Sequence, residues 1–349
     1  MKMWMVCARW MLTVIVFIAV LFVGYILLRP AHTPSISAPT SVAELDRLKI
    51  GGVEQYILIR GDDAANPVLL FLHGGPGMPM MYLAYRFQRP LEKHFIVVQW
   101  DRRGAGKSYD PNIPTNSMSV SQEISDAREL VNYLRVRFHQ QRIYLVGHSY
   151  GTYLGMLLVQ RYPQLFSAYV AIAQLACSHS ENAAYQEAWI RRNALAAHDA
   201  EALAQLDGKK PLDTEHWLFK YGGELRGATS FVPLLLMGLS APEYTFSDGM
   251  NVPKGVRFTH KNMRYDVIKG GPNAPLMDAV PAVGVPVYFF TGKYDETDPQ
   301  ECTQQYFQRL RAPQKRLVWF THSAHFPFLE EPDKFVNEVN SIRTDRRFP

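Results

Sequence analysis

Short apolar runs alternate with helix-like stretches through most of this chain. The runs have strand character, and the stretches between them carry apolar residues at helical spacing, which predicts a mainly parallel sheet covered by helices. A Gly51-Gly52 pair predicts a hairpin between residues 48–50 and the next strand. The fold class is therefore α/β. The predicted strands are 53–60, 68–72, 95–100, 142–146, 168–173, 286–290 and 316–320, and the predicted helices are 120–138, 152–162, 299–310 and 331–342.

The alternation stops between residues 178 and 281. This stretch contains helix-like pieces, Gly-Gly pairs and many aromatic residues, but no clear strand. An insertion of about 100 residues between two halves of a sheet is most simply a mostly helical cap that covers a site, excludes water and selects a ligand. We therefore predict a core formed by residues 48–177 and 282–349 and a cap formed by residues 178–281.

The first 30 residues differ from the rest of the chain. Residues 10–28 carry no charge, and as a helix they would be about 28 Å long, close to the hydrocarbon thickness of a bilayer. Lys2 and Arg9 precede this stretch, which favours an N-terminus inside and a folded domain outside the cytoplasm. The sequence thus predicts a membrane anchor in residues 1–30, with a cleaved signal and secretion as the alternative. Residues 31–47 are expected to form an extended tether.

Composition narrows the possibilities only slightly. Apolar residues make up 47% and charged residues 20% of the chain, as in an ordinary globular protein. The formal net charge of +5 owes three charges to the basic residues around the apolar N-terminal stretch, and no basic stripe indicates nucleic acid as a partner. The three cysteines lack metal-site spacing. Cys7 lies beside the apolar stretch, so only Cys177 and Cys302 could pair in the domain, and the sequence gives no geometry that favours this disulfide.

The segment Gly147-His148-Ser149-Tyr150-Gly151 follows a predicted strand and opens a predicted helix. This is the pattern of a nucleophile elbow, in which a tight turn exposes a serine at the end of a strand. Gly147 and Gly151 would be needed because side chains there would collide with the neighbouring strand and helix. The helix N-terminus also favours developing negative charge. Ser149 is therefore the candidate nucleophile, and the ring of His148 is expected to pack beside it.

A second glycine-rich loop, His73-Gly74-Gly75-Pro76-Gly77, follows the predicted strand 68–72. Paired glycines allow backbone N–H groups to point at a bound oxyanion. We predict an oxyanion hole formed by the N–H groups of Gly75 and Tyr150, with His73 bracing the loop. A plain Gly-Pro turn is the alternative interpretation.

Residues 101–108 match part of a nucleotide-binding loop. Gly106-Lys107-Ser108 fits the end of the pattern G-x-x-x-x-G-K-[ST], but Asp101 stands at its first position. Pro111 also interrupts the helix that should follow. Nucleotide binding is therefore not expected, and the chemistry predicted below needs no metal or other cofactor.

The acid and the base should follow the last two predicted strands. Asp295 comes directly after strand 286–290, whereas Asp298 is better interpreted as the N-cap of the next helix, and Glu296 is a further alternative. His325 lies just before the terminal helix, and His322 is more readily a loop residue near the rim. The order nucleophile, acid, base along the chain is the one this architecture uses. The predicted catalytic triad is Ser149, Asp295 and His325.

Together these motifs resemble the α/β-hydrolases of the proline iminopeptidase type. The resemblance spans residues 48–342 apart from the cap, and the H-G-G-P-G loop with the D-x-R-G-x-G-x-S stretch is its most specific part. It implies the α/β-hydrolase fold and the same three catalytic residues. The family commonly has Gln at the position of Arg102, and Gly and Trp at the positions of His148 and Tyr150, so the chain departs from its pattern there.

The substrate class stays open at the level of the sequence. The resemblance implies an aminopeptidase acting on a small molecule or short peptide, in which cap carboxylates bind the substrate's free amine. A carboxylesterase or lipase is the alternative, and it would suit the apolar cap run 231–239. A non-catalytic binding protein on the same fold is a remote third possibility. Dehalogenase and epoxide hydrolase chemistry is not expected, because those enzymes use Asp where this chain has Ser149. The possible amine-binding carboxylates are Glu181, Glu187, Glu224 and Glu243.

Overall fold

The computed structural model describes residues 2–343, apart from the side chains of residues 2–9, 19, 22, 23, 26 and 239. Eight strands within this range form one sheet with helices on both faces, which confirms the α/β class. The strands are β1 (Val42–Ile50), β2 (Val53–Gly61), β3 (Val68–Leu72), β4 (Ile96–Asp101), β5 (Ile143–His148), β6 (Phe166–Ile172), β7 (Val287–Gly292) and β8 (Lys315–Phe320). The helices are α1 (Lys2–Leu28), α2 (Val120–Arg137), α3 (Tyr150–Arg161), α4 (His179–Ala196), α5 (Ala200–Leu206), α6 (Thr214–Tyr221), α7 (Val232–Met237), α8 (Phe246–Asn262), α9 (Leu276–Ala279), α10 (Gln300–Arg309), α11 (Pro327–Glu330) and α12 (Pro332–Arg343).

The order of the strands across the sheet decides where the site lies. That order is β1-β2-β4-β3-β5-β6-β7-β8. Only β1 with β2 and β2 with β4 pair antiparallel, and every later pair is parallel. Strands β3, β4 and β7 are buried along their whole length, which is why they are short continuous apolar runs in the sequence. The carboxyl ends of the parallel strands meet at one edge, where ligands bind in sheets of this kind.

Strand β1 is longer than the sequence indicates. It begins at Val42, inside the stretch assigned to the tether, because it pairs with β2 over its whole length. Residues 29–41 form neither helix nor strand. They are bonded to the cap, because the N–H of His32 donates to the carbonyl of Pro242 (3.0 Å) and the Thr33 hydroxyl donates to Glu243 (3.1 Å). This segment therefore lies against the cap.

The predicted membrane anchor is not supported. Residues 10–28 are helical as part of α1. Yet no helix within the described residues combines the length and the apolarity that a membrane crossing requires. The prediction of a membrane-spanning anchor, on which the placement outside the cytoplasm rested, is therefore wrong. The side chains of Lys2 and Arg9 lie outside the described residues.

The cap region is helical. Residues 178–281 contain helices α4 to α9, and no strand among the residues that the structure describes. Helix α4 docks on the core because the side-chain amides of Asn182 and Gln186 both donate to the carbonyl of Thr297 (2.9 Å each). Helix α8 is held by an ion pair between Lys107 and Asp248 (2.6 Å). These contacts fix the cap over the carboxyl edge of the sheet, and the domain boundaries themselves stay a prediction.

A disulfide joins Cys177 to Cys302, whose Cα atoms are 5.5 Å apart. The sequence did not favour this bond. Cys177 follows β6 at the entrance to the cap, whereas Cys302 lies on α10 after β7. The two cysteines are 125 residues apart along the chain, and they meet because β6 and β7 are neighbours in the sheet. The disulfide therefore closes a loop that contains the whole cap.

We expect the double replacement Cys177→Ala with Cys302→Ala to lower the free energy of unfolding by about 2–5 kcal/mol, because a disulfide restricts the unfolded chain. Chemical denaturation with and without a reductant measures the effect. The reductant should destabilise the wild type and leave the double variant unchanged, and Cys7→Ala is the control. A wild type equally stable in both conditions would contradict the disulfide.

Candidate active site

The turn between β5 and α3 places Ser149 in a strained backbone conformation, with φ 52° and ψ −125°. A residue with a side chain rarely adopts a positive φ, and sites where it does are often functional. The N–H of Ser149 donates to the carbonyl of Ile172 (3.0 Å), and the hydroxyl of Thr152 donates to the carbonyl of Ser149 (2.7 Å). A Cβ on Gly151 would lie 2.1 Å from the carbonyl oxygen of Leu72, so only glycine lets α3 start here.

The loop after β3 passes directly beside the serine. A Cβ built on Gly74 would lie 3.1 Å from the Cβ of Ser149. Gly75 has φ 108°, and a side chain there would meet the backbone nitrogens of Gly77 and Met78 at 2.6 Å. Tyr150 is the first residue of α3, so its N–H has no acceptor inside the helix. The two N–H groups predicted to bind an oxyanion therefore belong to segments on either side of Ser149.

Asp295 and His325 are in direct contact. His325 Nδ1 lies 3.1 Å from Asp295 Oδ1 and 3.2 Å from Oδ2, and both side chains are almost fully buried. Oδ1 also accepts the backbone N–H groups of Thr297 and Asp298 (3.1 Å each). These bonds hold the carboxylate in place, and its contact keeps a proton on Nδ1. Nε2 is then the ring atom that can accept a proton.

Of the alternative residues, His322 takes no part in this contact, whereas Asp298 lies beside it. His322 is exposed, and its backbone N–H donates to Glu331 (2.9 Å). Asp298 does not cap α10, because Pro299 occupies the N-cap position. It is buried instead, with Oδ2 3.9 Å from His325 Nδ1, and this Oδ2 has no hydrogen-bond partner among the described residues. The N-cap interpretation of Asp298 is therefore wrong, since the chain turns its carboxylate toward the histidine.

Glu224 is a cap residue that contacts this histidine through its backbone. Its carbonyl accepts the backbone N–H of His325 (3.0 Å), and its buried side chain accepts the hydroxyl of Thr297. Burial raises its pKa above the ordinary value. The other candidate glutamates differ: Glu181 caps α4, Glu187 is exposed, and Glu243 accepts the hydroxyl of Thr33.

Three carboxylates surround His325. Burial alone would lower the pKa of its imidazole, but the carboxylates of Asp295, Glu224 and Asp298 outweigh burial and raise that pKa above its usual value. Burial, together with the same neighbours, also raises the pKa of Asp298. The cluster thus brings three carboxyl groups around one imidazole, and the raised pKa of Asp298 favours its protonated form.

Two further histidines support the site without facing its carboxylates. His148 Nε2 donates to the carbonyl of His325 (2.8 Å), and the two rings lie 4.7 Å apart. His73 Nε2 accepts the N–H of Arg102 (3.2 Å), so its proton lies on Nδ1, which donates to the carbonyl of Gly74 (2.9 Å). Burial lowers the pKa of both rings, so they are neutral at pH 7. They hold backbone segments in place.

A cavity of about 850 Å³ opens over Ser149 and reaches His325, Gly75 and Glu224. The cap contributes most of its remaining wall. Among the described residues, no group of three or more His, Cys, Asp or Glu side chains could hold a metal ion. The apolar part of the cap wall includes Phe231, Leu234, Leu235 and Val252, and its charged part includes Glu215 and Arg257.

The sequence analysis missed a buried acid on α2. Glu123 is 1% exposed and pairs with Arg102 (3.0 Å) beneath the elbow. A signal was available, because Glu123 falls on the same helical stripe as the buried residues Ala127, Leu130 and Leu134. An acid on an apolar stripe needs a buried partner, and the partner lies on a distant loop.

Comparisons with known proteins agree with this fold. A family model described as the alpha/beta hydrolase fold matches residues 67–332. A probable aminopeptidase, YbaC of Bacillus subtilis (strain 168), is 35% identical over 309 residues, which cover 86% of this chain and 96% of that protein. A proline iminopeptidase of Saccharolobus solfataricus is 24% identical over 312 residues, which cover 84% of this chain and 90% of that protein.

Solved structures give the same architecture. The crystal structure of a proline iminopeptidase from Mycobacterium smegmatis superposes with a TM-score of 0.63 at 20% identity and covers 86% of this chain and 98% of that one. At this identity the likeness concerns the fold alone. It confirms the α/β-hydrolase fold, and the family model and the curated relatives confirm the resemblance to the proline iminopeptidase type.

We expect Glu224→Gln to lower the pKa of His325 by about 1 unit, because it removes one neighbouring negative charge while keeping an acceptor for Thr297. NMR titration of the His325 ring measures the shift. Glu215→Gln is the matched control, since this glutamate lines the same cavity but is exposed. An equal shift in both variants, or none in Glu224→Gln, would contradict the electrostatic role of Glu224.

Proposed function

This chain belongs to the α/β-hydrolase fold family, and we propose that it is a serine hydrolase that releases N-terminal residues from short peptides. The observation that carries the proposal is the meeting of three features at one cavity. They are a serine at positive φ on an elbow, a buried histidine–aspartate contact, and a buried cap glutamate. The aminopeptidase names of two relatives support the same activity.

Catalysis proceeds by two acyl transfers. His325 Nε2 takes the proton of the Ser149 hydroxyl as Oγ attacks the substrate carbonyl carbon. The tetrahedral intermediate then collapses, the C–N bond breaks, and His325 gives its proton to the leaving amine. Water attacks the acyl-enzyme, His325 accepts a proton from it, and this proton returns to Ser149 as the acid leaves. Asp295 keeps the imidazole in the required tautomer and stabilises its charged form.

The oxyanion is held by backbone N–H groups. The proposed donors are the N–H of Gly75 and the N–H of Tyr150, which come from loops on opposite sides of Ser149. Donors of this kind stabilise charge that develops only in the transition state, and the loss of one typically lowers turnover by about 10²–10³-fold. The N-terminus of α3 adds a favourable dipole at the same point.

Glu224 supplies the recognition of the free amine. An α-ammonium entering a partly desolvated cavity needs a carboxylate partner, because an unpaired buried ammonium is costly. Glu224 lines the cavity beside Ser149 and His325, and burial makes its charge costly without a cation. Binding therefore pairs the ammonium of the substrate with the carboxylate of Glu224, which removes the cost of burying either charge alone.

The ammonium of the substrate also affects the base. His325 must be neutral to accept the proton of Ser149, yet the surrounding carboxylates raise its pKa. A cation bound at Glu224 offsets one of these charges and lowers the pKa of His325. A bound substrate with a free amine therefore favours the neutral, active form of His325, whereas a substrate with an acylated amine does not.

We expect Ser149→Ala to lose turnover by about 10⁶-fold, because the triad acts as a unit. A fluorophosphonate probe should label the wild type and spare this variant, and intact-protein mass spectrometry measures the adduct. Ser180→Ala, at an exposed serine on α4, is the control and should label normally. Labelling that persists in Ser149→Ala would exclude Ser149 as the nucleophile.

The substrate class is tested by comparing substrates whose amine is free with substrates whose amine is acetylated. A prolyl or alanyl arylamide should be cleaved and its N-acetylated form should not, and Glu224→Gln should raise KM for the free form by roughly 10- to 100-fold. Glu187→Gln, at an exposed glutamate of the cap, is the matched control. Should N-acetylation make no difference while short acyl esters turn over well, a carboxylesterase replaces the aminopeptidase.

A further inference from the structure

A buried ion pair lies beneath the elbow, outside the cavity. Arg102 Nε lies 3.0 Å from Glu123 Oε1, and each side chain is 1% exposed. The second oxygen of the same carboxylate, Oε2, accepts the hydroxyl of Tyr150 (2.8 Å). The guanidinium of Arg102 also lies over the ring of Tyr150, with Cζ 5.6 Å from its centroid. We refer to Arg102, Glu123 and Tyr150 as the Glu123 clamp.

One arm of the clamp reaches the oxyanion loop. Arg102 Nη1 donates to the carbonyl of His73 (2.8 Å), and the backbone N–H of Arg102 donates to His73 Nε2 (3.2 Å). His73 Nδ1 donates in turn to the carbonyl of Gly74 (2.9 Å). Arg102 thus fixes both the backbone and the ring of the residue that opens the loop carrying Gly75.

The other arm reaches the elbow. Tyr150 follows Ser149 directly, and its N–H is the second proposed oxyanion donor. Its ring stacks on Tyr153 at 6.0 Å, and its hydroxyl is bound by Glu123. Burial, and then the charge of Glu123, raise the pKa of this hydroxyl well above its usual value, so it stays a donor. One carboxylate on α2 therefore connects both segments that carry the oxyanion donors.

Stability alone is a weak reason for this arrangement. Burying an ion pair costs desolvation free energy, and a hydrophobic replacement of similar volume is often neutral or stabilising. The clamp even leaves Arg102 Nη2 buried without a partner among the described residues. What it provides is geometry, since one carboxylate that binds both Arg102 and Tyr150 sets the distance between them.

We propose that Glu123 is a positioning residue that sets the spacing of the oxyanion hole by holding Arg102 and Tyr150 at the same carboxylate. The proposal rests on the proposed function, because it assigns a role in transition-state stabilisation. Oxyanion donors act only within a narrow range of distances, and a misplacement of about 1 Å can cost on the order of 10²-fold in rate. Loosening the clamp should therefore weaken transition-state binding more than substrate binding.

The test compares Tyr150→Phe with Tyr153→Phe. Both remove one hydroxyl from neighbouring stacked rings, but the Tyr153 hydroxyl has no hydrogen-bond partner among the described residues. We expect Tyr150→Phe to lower kcat by roughly 10- to 100-fold with KM changed less than about twofold. Its affinity for a peptide boronate, which forms a tetrahedral adduct on Ser149, should fall in parallel. Tyr153→Phe should match the wild type in all three measurements.

Two variants of Glu123 separate a loss of positioning from a loss of folding. Glu123→Gln keeps one acceptor and should lose part of kcat, whereas Glu123→Ala should lose more, with Tm recorded for each and activity measured well below it. Unchanged kcat and boronate affinity in Tyr150→Phe would overturn the role of the Glu123 clamp. The proposed function would still stand if the wild type is active and labels at Ser149. A wild type that neither hydrolyses the arylamide nor labels at Ser149 would overturn both.

Discussion

The backbone conformation of Ser149 is the constraint on which the site depends. A residue with a side chain at φ 52° costs on the order of 1–3 kcal/mol, and it persists only when its surroundings fix it. Here β6 accepts its N–H, Thr152 binds its carbonyl, and helix α3 approaches β3 so closely that only Gly151 fits. The same turn exposes the serine, opens the helix and frees the N–H of Tyr150. One local strain therefore provides three parts of the proposed chemistry.

Charge is distributed unevenly around this turn. On the core side, buried charges are paired: Arg102 with Glu123, and Arg103 with Asp126 at 2.6 Å. Pairing is needed because an isolated buried charge is very costly. On the cavity side three carboxyl groups surround one imidazole and raise its pKa. The proposed amine substrate adds a cation beside the buried carboxyl group of Glu224.

The cap is held on the core at several points. The disulfide ties its entrance to α10, and the amides of α4 hold the carbonyl of Thr297 in the loop that carries Asp295. Farther along the cap, Lys107 binds Asp248 on α8. These contacts connect the cap to the same loops that carry the candidate catalytic residues, so the position of Glu224 relative to His325 depends on them. The cap wall therefore contributes to the geometry of the site as well as to its enclosure.

Local signals in the sequence determined most of the elements, because strands buried on both faces and helices with an apolar stripe each have a recognisable spacing. They also determined the elbow at Ser149 and the loop at Gly75, since glycines at fixed offsets report backbone conformation directly. Only the tertiary structure decided the disulfide, the burial of Glu224 beside His325, the position of Asp298 and the meeting of Arg102 and Tyr150 at Glu123. Each of these joins residues on different elements, and their proximity follows from strand order and cap placement, which leave no local pattern.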